Sequence, residues 1–258
     1  MCATINSVQS VDRVLDILEA LSANPSGMAL TELSSFVKLP GSTTHRLVNA
    51  LVERGYALKD ASLGRYRLSL RAFEIGCRVS NVWDMLSAAK PYLDELVSVS
   101  QEVVHLVERD GTGIVYLYKA EPFQPLVRMS SYVGLRNPMY CTGVGKSILA
   151  LLPPSEVEEI WNAEEIKQFS KHTITDLSAM REELARTRAR GYAIDDEEHE
   201  AGVRCIAAAI RNWEGRPIAA ISVSAPVSRM TPEIIQPLLP HLFRAAEAVS
   251  RILGYVPA

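Results

Sequence analysis

The sequence predicts an α+β chain in two parts. A small N-terminal unit of helices closes on a hairpin, and a larger C-terminal unit packs helices around an antiparallel sheet. Three observations carry this reading. Apolar residues recur at helical spacing from Val11 to Leu51; two β-rich runs then alternate around "DASLG"; and from Glu102 onward hairpin patterns interleave with capped helices. With 258 residues and 48% hydrophobic content, the chain can bury two moderate cores.

In "SVDRVLDILEALS", Val11, Val14, Leu15, Leu18 and Leu21 form an apolar stripe, with Asp12, Arg13, Asp16 and Glu19 on the other side. "NPSG" breaks this helix, and "LTELSSFVKL" predicts a short second one burying Leu30, Leu33, Phe36 and Val37. After the turn "PG", "STTHRLVNALVERG" predicts a third helix capped by Ser42 and stopped by Gly55. Helical rotation puts Thr44, Leu47, Val48 and Leu51 on one face, and Ser42, His45, Arg46, Asn49 and Glu53 opposite. The polar face mixes donors and acceptors and carries no bulky apolar group, as a helix lying in a DNA major groove requires.

"YALKDASLGRYRLS" then predicts a two-stranded wing whose Lys59, Arg65 and Arg67 reach toward phosphates. Helix, helix, tight turn, helix and hairpin in this order make a winged helix-turn-helix, whose second motif helix inserts its N-terminal residues. The candidate DNA-binding residues are therefore Ser42, Thr43, Thr44, His45, Arg46 and Asn49 on the helix, with Lys59 and Arg65 on the wing. A helical bundle that docks on a partner protein is the competing interpretation.

Charge favours DNA. The whole chain carries a formal −3, yet residues 38 to 71 hold seven Lys/Arg against two acids, Glu53 and Asp60. A basic patch on an otherwise acidic chain is the footprint of a part that docks on a polyanion.

"LRAFEIGCRVSNVWDMLSAAKP" has helical periodicity through Leu70, Phe73, Val79, Val82 and Leu86 and is expected to end at Pro91. The expected division is 1–70 for the DNA-binding unit, 71–90 for a linker helix that could also pair with another subunit, and 91–258 for the second domain. Pro91 is expected to open a new helix. "EVVHLVERDGTGIVYLYKA" predicts a hairpin around Asp110, Gly111, Thr112 and Gly113, and "LVRMSSY" a third strand. Thr142 should cap a helix over "GVGKSILALL" that Pro153 and Pro154 stop; Ser155 and Glu158 suggest a capping box for the next. After "DLSAMREELARTRARG", strands are expected at "YAID", "GVRCIAAAI" and "PIAAISVSA". A final helix with Thr231 as cap and Pro232 in its first turn should be kinked or delayed by Pro237 and Pro240.

Gly145, Lys146 and Ser147 spell the end of a phosphate-binding loop, but the first glycine of that pattern is replaced by Tyr140. A small anion at the first-turn N–H groups is the more modest expectation. Ser222 and Ser224 share one face of their strand; Cys205 shares a face with Ala207 and Ala209, leaving space above the sheet. Such serines are also ordinary on an edge strand. The run "DDEEHE", residues 195 to 200, is expected to be a solvated loop rather than a metal site. Asp195 could instead accept hydrogen bonds from ligand hydroxyls.

No apolar run reaches a membrane span, and the N-terminus has neither the basic start nor the apolar core of a signal peptide, so a cytoplasmic chain is expected. Cys2, Cys77, Cys141 and Cys205 form no C-x-x-C pair, and the five histidines lack H-x-x-x-H spacing, so no metal and no cofactor are expected.

"VQSVDRVLDILEAL", "LTELSSFVKLPGSTTHRLVNALVERGY" and "YRLSLRAFEIG" resemble the winged helix-turn-helix of IclR-type bacterial transcriptional regulators. The likeness continues through "RNPMYCTGVGKSILA", "GYAIDDEEHEAGVRCIAAAI" and "PIAAISVSAP", nearly the whole chain. It departs at "LPGST", where Pro40-Gly41 occupies the turn that usually carries a lysine or another polar residue. The resemblance implies a GAF-like effector domain that binds a small organic acid through positions matching Gly143, Val144, Asp195, Cys205, Ser222 and Ser224. The stretches "RNPMYCTGVGK" and "DDEEHEAGVRCIA" look most like the branch responding to 2-keto-3-deoxygluconate. The expected partners are a double-stranded, palindromic DNA operator, the organic acid, and further copies of the chain as a dimer or dimer of dimers. Repression and activation both stay open. The alternative is a GAF-like enzyme with Cys205 or Cys141 as nucleophile, for which no neighbouring base is visible.

Overall fold

The computed structural model describes residues 8–60, 62–76, 80–122 and 129–256. Cys2, Cys77, Val79, the side chain of Val82, and residues 126–128 of the expected strand "LVRMSSY" lie outside what is described. The chain divides into two compact units, Met1–Ser80 and Asn81–Ala258.

The first unit contains α1 (Gln9–Ser22), β1 (Met28–Ala29), α2 (Leu30–Phe36), α3 (Gly41–Glu53), β2 (Ala57–Lys59), β3 (Arg65–Leu68) and α4 (Leu70–Gly76). β3 is central in a three-stranded antiparallel sheet, pairing with β1 through Met28↔Tyr66 and with β2 through Lys59↔Tyr66. Ile17, Ala20, Leu21, Leu33, Val48, Leu51, Ala57 and Tyr66 form the core.

Three expectations need correcting here. On α1 the buried face is Ile17, Ala20 and Leu21, while Val11 and Leu15 are half exposed. At 3.6 residues per turn Leu15 stands nearly opposite Ile17, so only one of two apolar arcs can face inward. Phe36, at the last position of its short helix, is exposed. Ser42 is not the cap of α3: the helix starts at Gly41, and the Pro40 carbonyl takes the Thr44 N–H at 3.0 Å.

The second unit contains α5 (Ser80–Ser100), β4 (Val103–Asp110), β5 (Gly113–Ala120), β6 (Arg136–Pro138), α6 (Gly143–Leu149), α7 (Pro154–Ala163), α8 (Leu177–Arg190), β7 (Ala193–Asp196), β8 (Val203–Arg211), β9 (Pro217–Pro226) and α9 (Pro232–Ile252). The strands form one antiparallel sheet in the order β6-β5-β4-β9-β8-β7. One face, with Leu106, Ile206, Ile210, Ile221 and Val223, packs under α5 and α9. The other, with Val107, Ile114, Ala207 and Ala220, packs under α6 and its neighbours. A sheet with helices on both faces makes the unit α+β, as expected.

Pro91 does not end its helix, and Pro237 and Pro240 do not delay theirs. α5 runs through Pro91 and α9 through Pro237 and Pro240, each as one helix. A proline forfeits one backbone bond, and the buried rows Ala89–Leu93–Leu96 and Leu238–Leu242–Ala245–Val249 hold the helices against the sheet across that loss. α7 begins at Pro154 with no side-chain cap, so Ser155 lies inside the helix and makes no capping box. Thr231 holds the N-cap position of α9 without a side-chain cap bond. Met129–Tyr132, the described end of "LVRMSSY", is not a strand; β6 supplies the neighbour of β5 instead, through Ile114↔Asn137. No helix among the described residues is long and apolar enough to cross a membrane.

Candidate functional site

α3 presents the face that the sequence predicts. Ser42, His45 and Arg46 are exposed, and Thr43 and Asn49 half-buried. Ser42, the second residue of α3, is exposed to solvent. Asn49 Nδ2 lies 3.1 Å from His45 Nε2, so the two side chains are set as a pair on this face.

Two of the eight expected DNA contacts change role. Thr44 is fully buried, its hydroxyl donating to the Pro40 carbonyl at 3.2 Å, and it locks the turn before α3 rather than facing a groove. Arg65 donates to the Gly27 carbonyl at 2.8 and 3.1 Å and pairs with Glu32 at 2.8 Å. Glu32 also accepts the Ala29 N–H, so Arg65 ties β3 to the β1–α2 junction. Lys59 remains exposed, its ammonium 5.3 Å from the centre of the Tyr66 ring, and Arg67 is exposed beside it on β3.

In the second unit, register assembles a cavity floor. Directly opposed residues of an antiparallel sheet point to the same face. Asp195 of β7 opposes Cys205 of β8, which opposes Ser224 of β9. One step along, Ala207 opposes Ser222, and Ser222 opposes His105 of β4. Ser222 and Ser224 therefore sit on an interior strand and are buried, not at a sheet edge. These rows line a pocket of about 50 Å³, walled by Gly143 and Val144 of α6, by Tyr116 and Asn137, and by Ser130 and Ser131. All six expected effector-binding residues line it.

α6 closes the cavity from above. Thr142 caps it as expected, its hydroxyl accepting the Gly145 N–H at 3.1 Å. The first-turn N–H groups of Gly143 and Val144 have no partner inside the helix. The space expected above Ala207 is taken by the helix itself: a Cβ on Gly143 would lie 3.6 Å from the Ala207 Cβ. Gly145 is tighter still, since a Cβ there would stand 2.2 Å from the Met139 carbonyl oxygen.

Lys146 points inward, fully buried, and pairs with Glu198. The Gly-Lys-Ser letters thus build an internal ion pair, not a phosphate cradle.

The acid run is not a solvated loop. Asp195 and Glu198 are buried, Asp196 pairs with Arg204 at 2.7 Å, Glu197 accepts the Gly202 N–H at 2.8 Å, and Glu200 accepts the Ser130 hydroxyl at 2.9 Å. Asp195 accepts the Glu198 N–H at 2.8 Å, which folds the turn back over the cavity. Glu198 Oε2 is buried without a hydrogen-bond partner among the described residues.

Burial, together with the negative charge of Glu198, raises the Asp195 carboxyl to about 7, against the counteracting pull of Lys146. Burial, with Lys119 adding to it, lowers His105 to about 3 and keeps the ring neutral. A neutral imidazole offers one donor and one acceptor. Its Nε2 lies 2.8 Å from the Ser131 hydroxyl, and its Nδ1 lies 3.4 Å from both Ser222 and Ser224.

Among the described residues no lysine or arginine lines this cavity. An anion there must rely on N–H and hydroxyl donors, which selects for a compact ligand carrying oxygen functions of its own. Burial pushes the thiols of Cys141 and Cys205 well above the usual range, so neither carries the thiolate a nucleophile needs. No group of three or more His, Cys, Asp or Glu among the described residues could hold a metal ion.

Sequence reasoning missed His105, Lys146 and Glu198. His105 carries a faint signal: it is the polar member of the alternating set Val103, His105 and Val107 in the buried first half of β4.

Two family models match this arrangement unit by unit. The IclR helix-turn-helix domain matches residues 10–61, and the bacterial transcriptional regulator IclR C-terminal domain matches residues 77–251. The chain belongs to the IclR family. It is 36% identical over 250 residues to the HTH-type transcriptional regulator KdgR of Escherichia coli, covering 97% of this chain and 94% of that one. To the transcriptional repressor IclR of the same organism it is 33% identical, covering 96% and 90%. Among solved structures, an IclR homolog complexed with 4-hydroxybenzoate from Microbacterium hydrocarbonoxydans aligns with a TM-score of 0.83 at 25% identity, covering 95% of this chain and 98% of that one. These relatives are named regulators and repressors, and the present IclR-family chain is accordingly a DNA-binding transcriptional regulator with an effector domain, not a cysteine enzyme.

Proposed function

We propose that this IclR-family chain is a cytoplasmic, ligand-responsive repressor. Two copies read a palindromic operator, each laying Ser42, Thr43, His45, Arg46 and Asn49 of α3 in the major groove while Lys59 and Arg67 approach phosphates. A small hydroxy or keto acid in the second unit then shifts DNA affinity. The observation that carries this reading is the pocket in which Asp195, Cys205, Ser222, Ser224 and the start of α6 converge.

The chemistry of the site supports an oxygen-rich acid. Carboxylate oxygens can take the N–H groups of Gly143 and Val144 and the two serine hydroxyls, while a ligand hydroxyl can donate to Asp195. The family member solved with 4-hydroxybenzoate, a carboxylic acid, supports the same class. A ligand changes DNA binding only by its difference in affinity between the DNA-competent and incompetent states, so the ligand and DNA must each alter the other's affinity by the same factor.

The test is retardation of duplex DNA from upstream of the chain's own gene, with and without 2-keto-3-deoxygluconate, paired with calorimetry of that acid. The reading expects specific retardation, its loss on adding the acid, and heat of binding that disappears in a Ser222→Ala, Ser224→Ala double variant. Retardation unmoved by any keto or sugar acid that gives heat would sink it.

A further inference from the structure

The same unit holds a second and larger cavity, about 410 Å³, that shares no residue with the first. It lies beside the C-terminal half of α6, between Ser147 and Ala150 on one side, the end of α8, and Phe243, Ala246 and Ser250 of α9. Its floor is the stretch of β8 beyond Ala207, where β7 has ended: the β7–β8 pairing stops at Ala193↔Ala207, and Ala208, Ala209 and Arg211 line the space. Small alanines below and the Phe243 ring at the side leave room for an apolar body.

The charge balance of this cavity is unusual for the unit. α8 carries four arginines, and three are met by acids: Arg181 by Glu158 at 2.8 Å, Arg186 by Glu183 at 3.0 Å, and Arg190 by Glu183 at 2.7 Å. The fourth, Arg188, has no acid partner among the described residues; its Nε donates to the Ala150 carbonyl at the end of α6 at 2.7 Å. Arg211 likewise meets no acid among the described residues. One terminal nitrogen donates to the Tyr255 hydroxyl at 2.7 Å, and the guanidinium stands 5.1 Å from the centre of that ring. The one lining carboxylate, Glu247, is taken by Arg251 at 2.6 Å.

A guanidinium has five N–H donors. Neutral contacts fix the orientation of both arginines and leave most of those donors unspent, with two positive charges facing a partly apolar space. That combination matches a carboxylate carried on an aromatic or branched hydrocarbon body, bound bidentately by a pre-oriented fork.

We propose that this cavity is a second ligand site, separate from the polar one, which takes a small amphipathic monocarboxylate through Arg188 and Arg211. It differs from the first cavity in the kind of acid it selects. The first offers hydroxyls and N–H groups to an oxygen-rich ligand, whereas the second offers guanidinium and hydrocarbon surface.

The probe is 3-phenylpropionate, titrated by calorimetry into the full chain beside its neutral isostere 3-phenylpropanamide. Saturable binding of the acid is expected, at least tenfold tighter than that of the amide. Arg188→Gln, at an exposed side chain whose loss leaves the fold intact by circular dichroism, should reduce acid affinity about tenfold and erase the preference over the amide. The Ser222→Ala, Ser224→Ala double variant should bind the acid as the parent does. Equal affinity for acid and amide in the parent, no binding, or loss that follows the serine variant instead of Arg188→Gln would each overturn the site.

Discussion

Two helices of this chain begin on similar small and hydroxylated residues, "GSTTHR" at α3 and "TGVGKS" at α6, and their polar groups end in opposite surroundings. On α3, Ser42, His45 and Arg46 are in solvent. On α6 all seven residues are buried, Lys146 completely. The difference lies in what covers each helix. α3 lies against one small core and keeps its outer side open; α6 is enclosed between the sheet and the turn after β7 that carries Glu198. A polar group left in water costs nothing to fold, so on α3 function and stability separate. On α6 every polar group must find a partner, and the two are fused.

The strongest way to break the comparison is at Gly145. Adding one methyl group sets it against the Met139 backbone, which has no side-chain freedom to yield. Gly145→Ala is expected to cost roughly 3 kcal/mol or more, read as a lowered urea midpoint with a matching drop in Tm. Next in size, Lys146→Met leaves Glu198 and Asp195 buried without their cation, a loss of about 3–5 kcal/mol. Adding Glu198→Gln should recover part of it. A double variant as unstable as the sum of the singles would show that the pair does not act as a unit.

Arg46→Ala sharpens the other side. DNA affinity should fall by about 1–3 kcal/mol, while stability stays within roughly 0.5 kcal/mol and ligand heats are unchanged; loss of ligand binding as well would mean that the two functions are not housed separately. Asp195 gives a pH signature. Its folded carboxyl keeps the proton up to about 7, whereas the unfolded one releases it near 3.8. The folded state therefore binds more protons across that window, and this group's contribution to stability declines as pH rises through it, by at most about 1.4 kcal/mol per pH unit. Urea midpoints followed from pH 4 to pH 8 should lose this slope in Asp195→Asn. The smallest effect is expected at Lys59. Its replacement by Ala should weaken DNA binding without regard to sequence and reduce the salt slope by about 1, with no change in the preferred operator.

These two helices also mark where the letters sufficed. The exposed face of α3 follows from local periodicity alone, and so do the wing and the hairpin at Gly111, because period and turn chemistry are properties of neighbouring residues. Thr44 was legible too, on the apolar side of the same rotation that placed His45 and Arg46 outside. Arg65 was not, since its partners Gly27 and Glu32 lie across a two-residue strand too short to have a pattern. In the second unit, alternation put Ser222 and Ser224 on one face, but which strand lies beside them is a matter of register between distant segments. That is why His105 went unnoticed and why the serines could pass for edge residues. The acid run read as solvated because nothing local reveals that Lys146 waits opposite Glu198. Pro91 misled for the same reason: a stop signal that is strong in an isolated helix yields to a long buried row.

Lys146 has a practical consequence. Its amine is sealed from solvent on every side, so a water-soluble acylating reagent added to the folded chain should modify the surface lysines first and this one only when the effector domain opens locally. The rate at which Lys146 becomes tagged is thus a clock for that opening. Any compound that fills the cavity beneath α6 should slow it, whether or not its effect on the promoter is known.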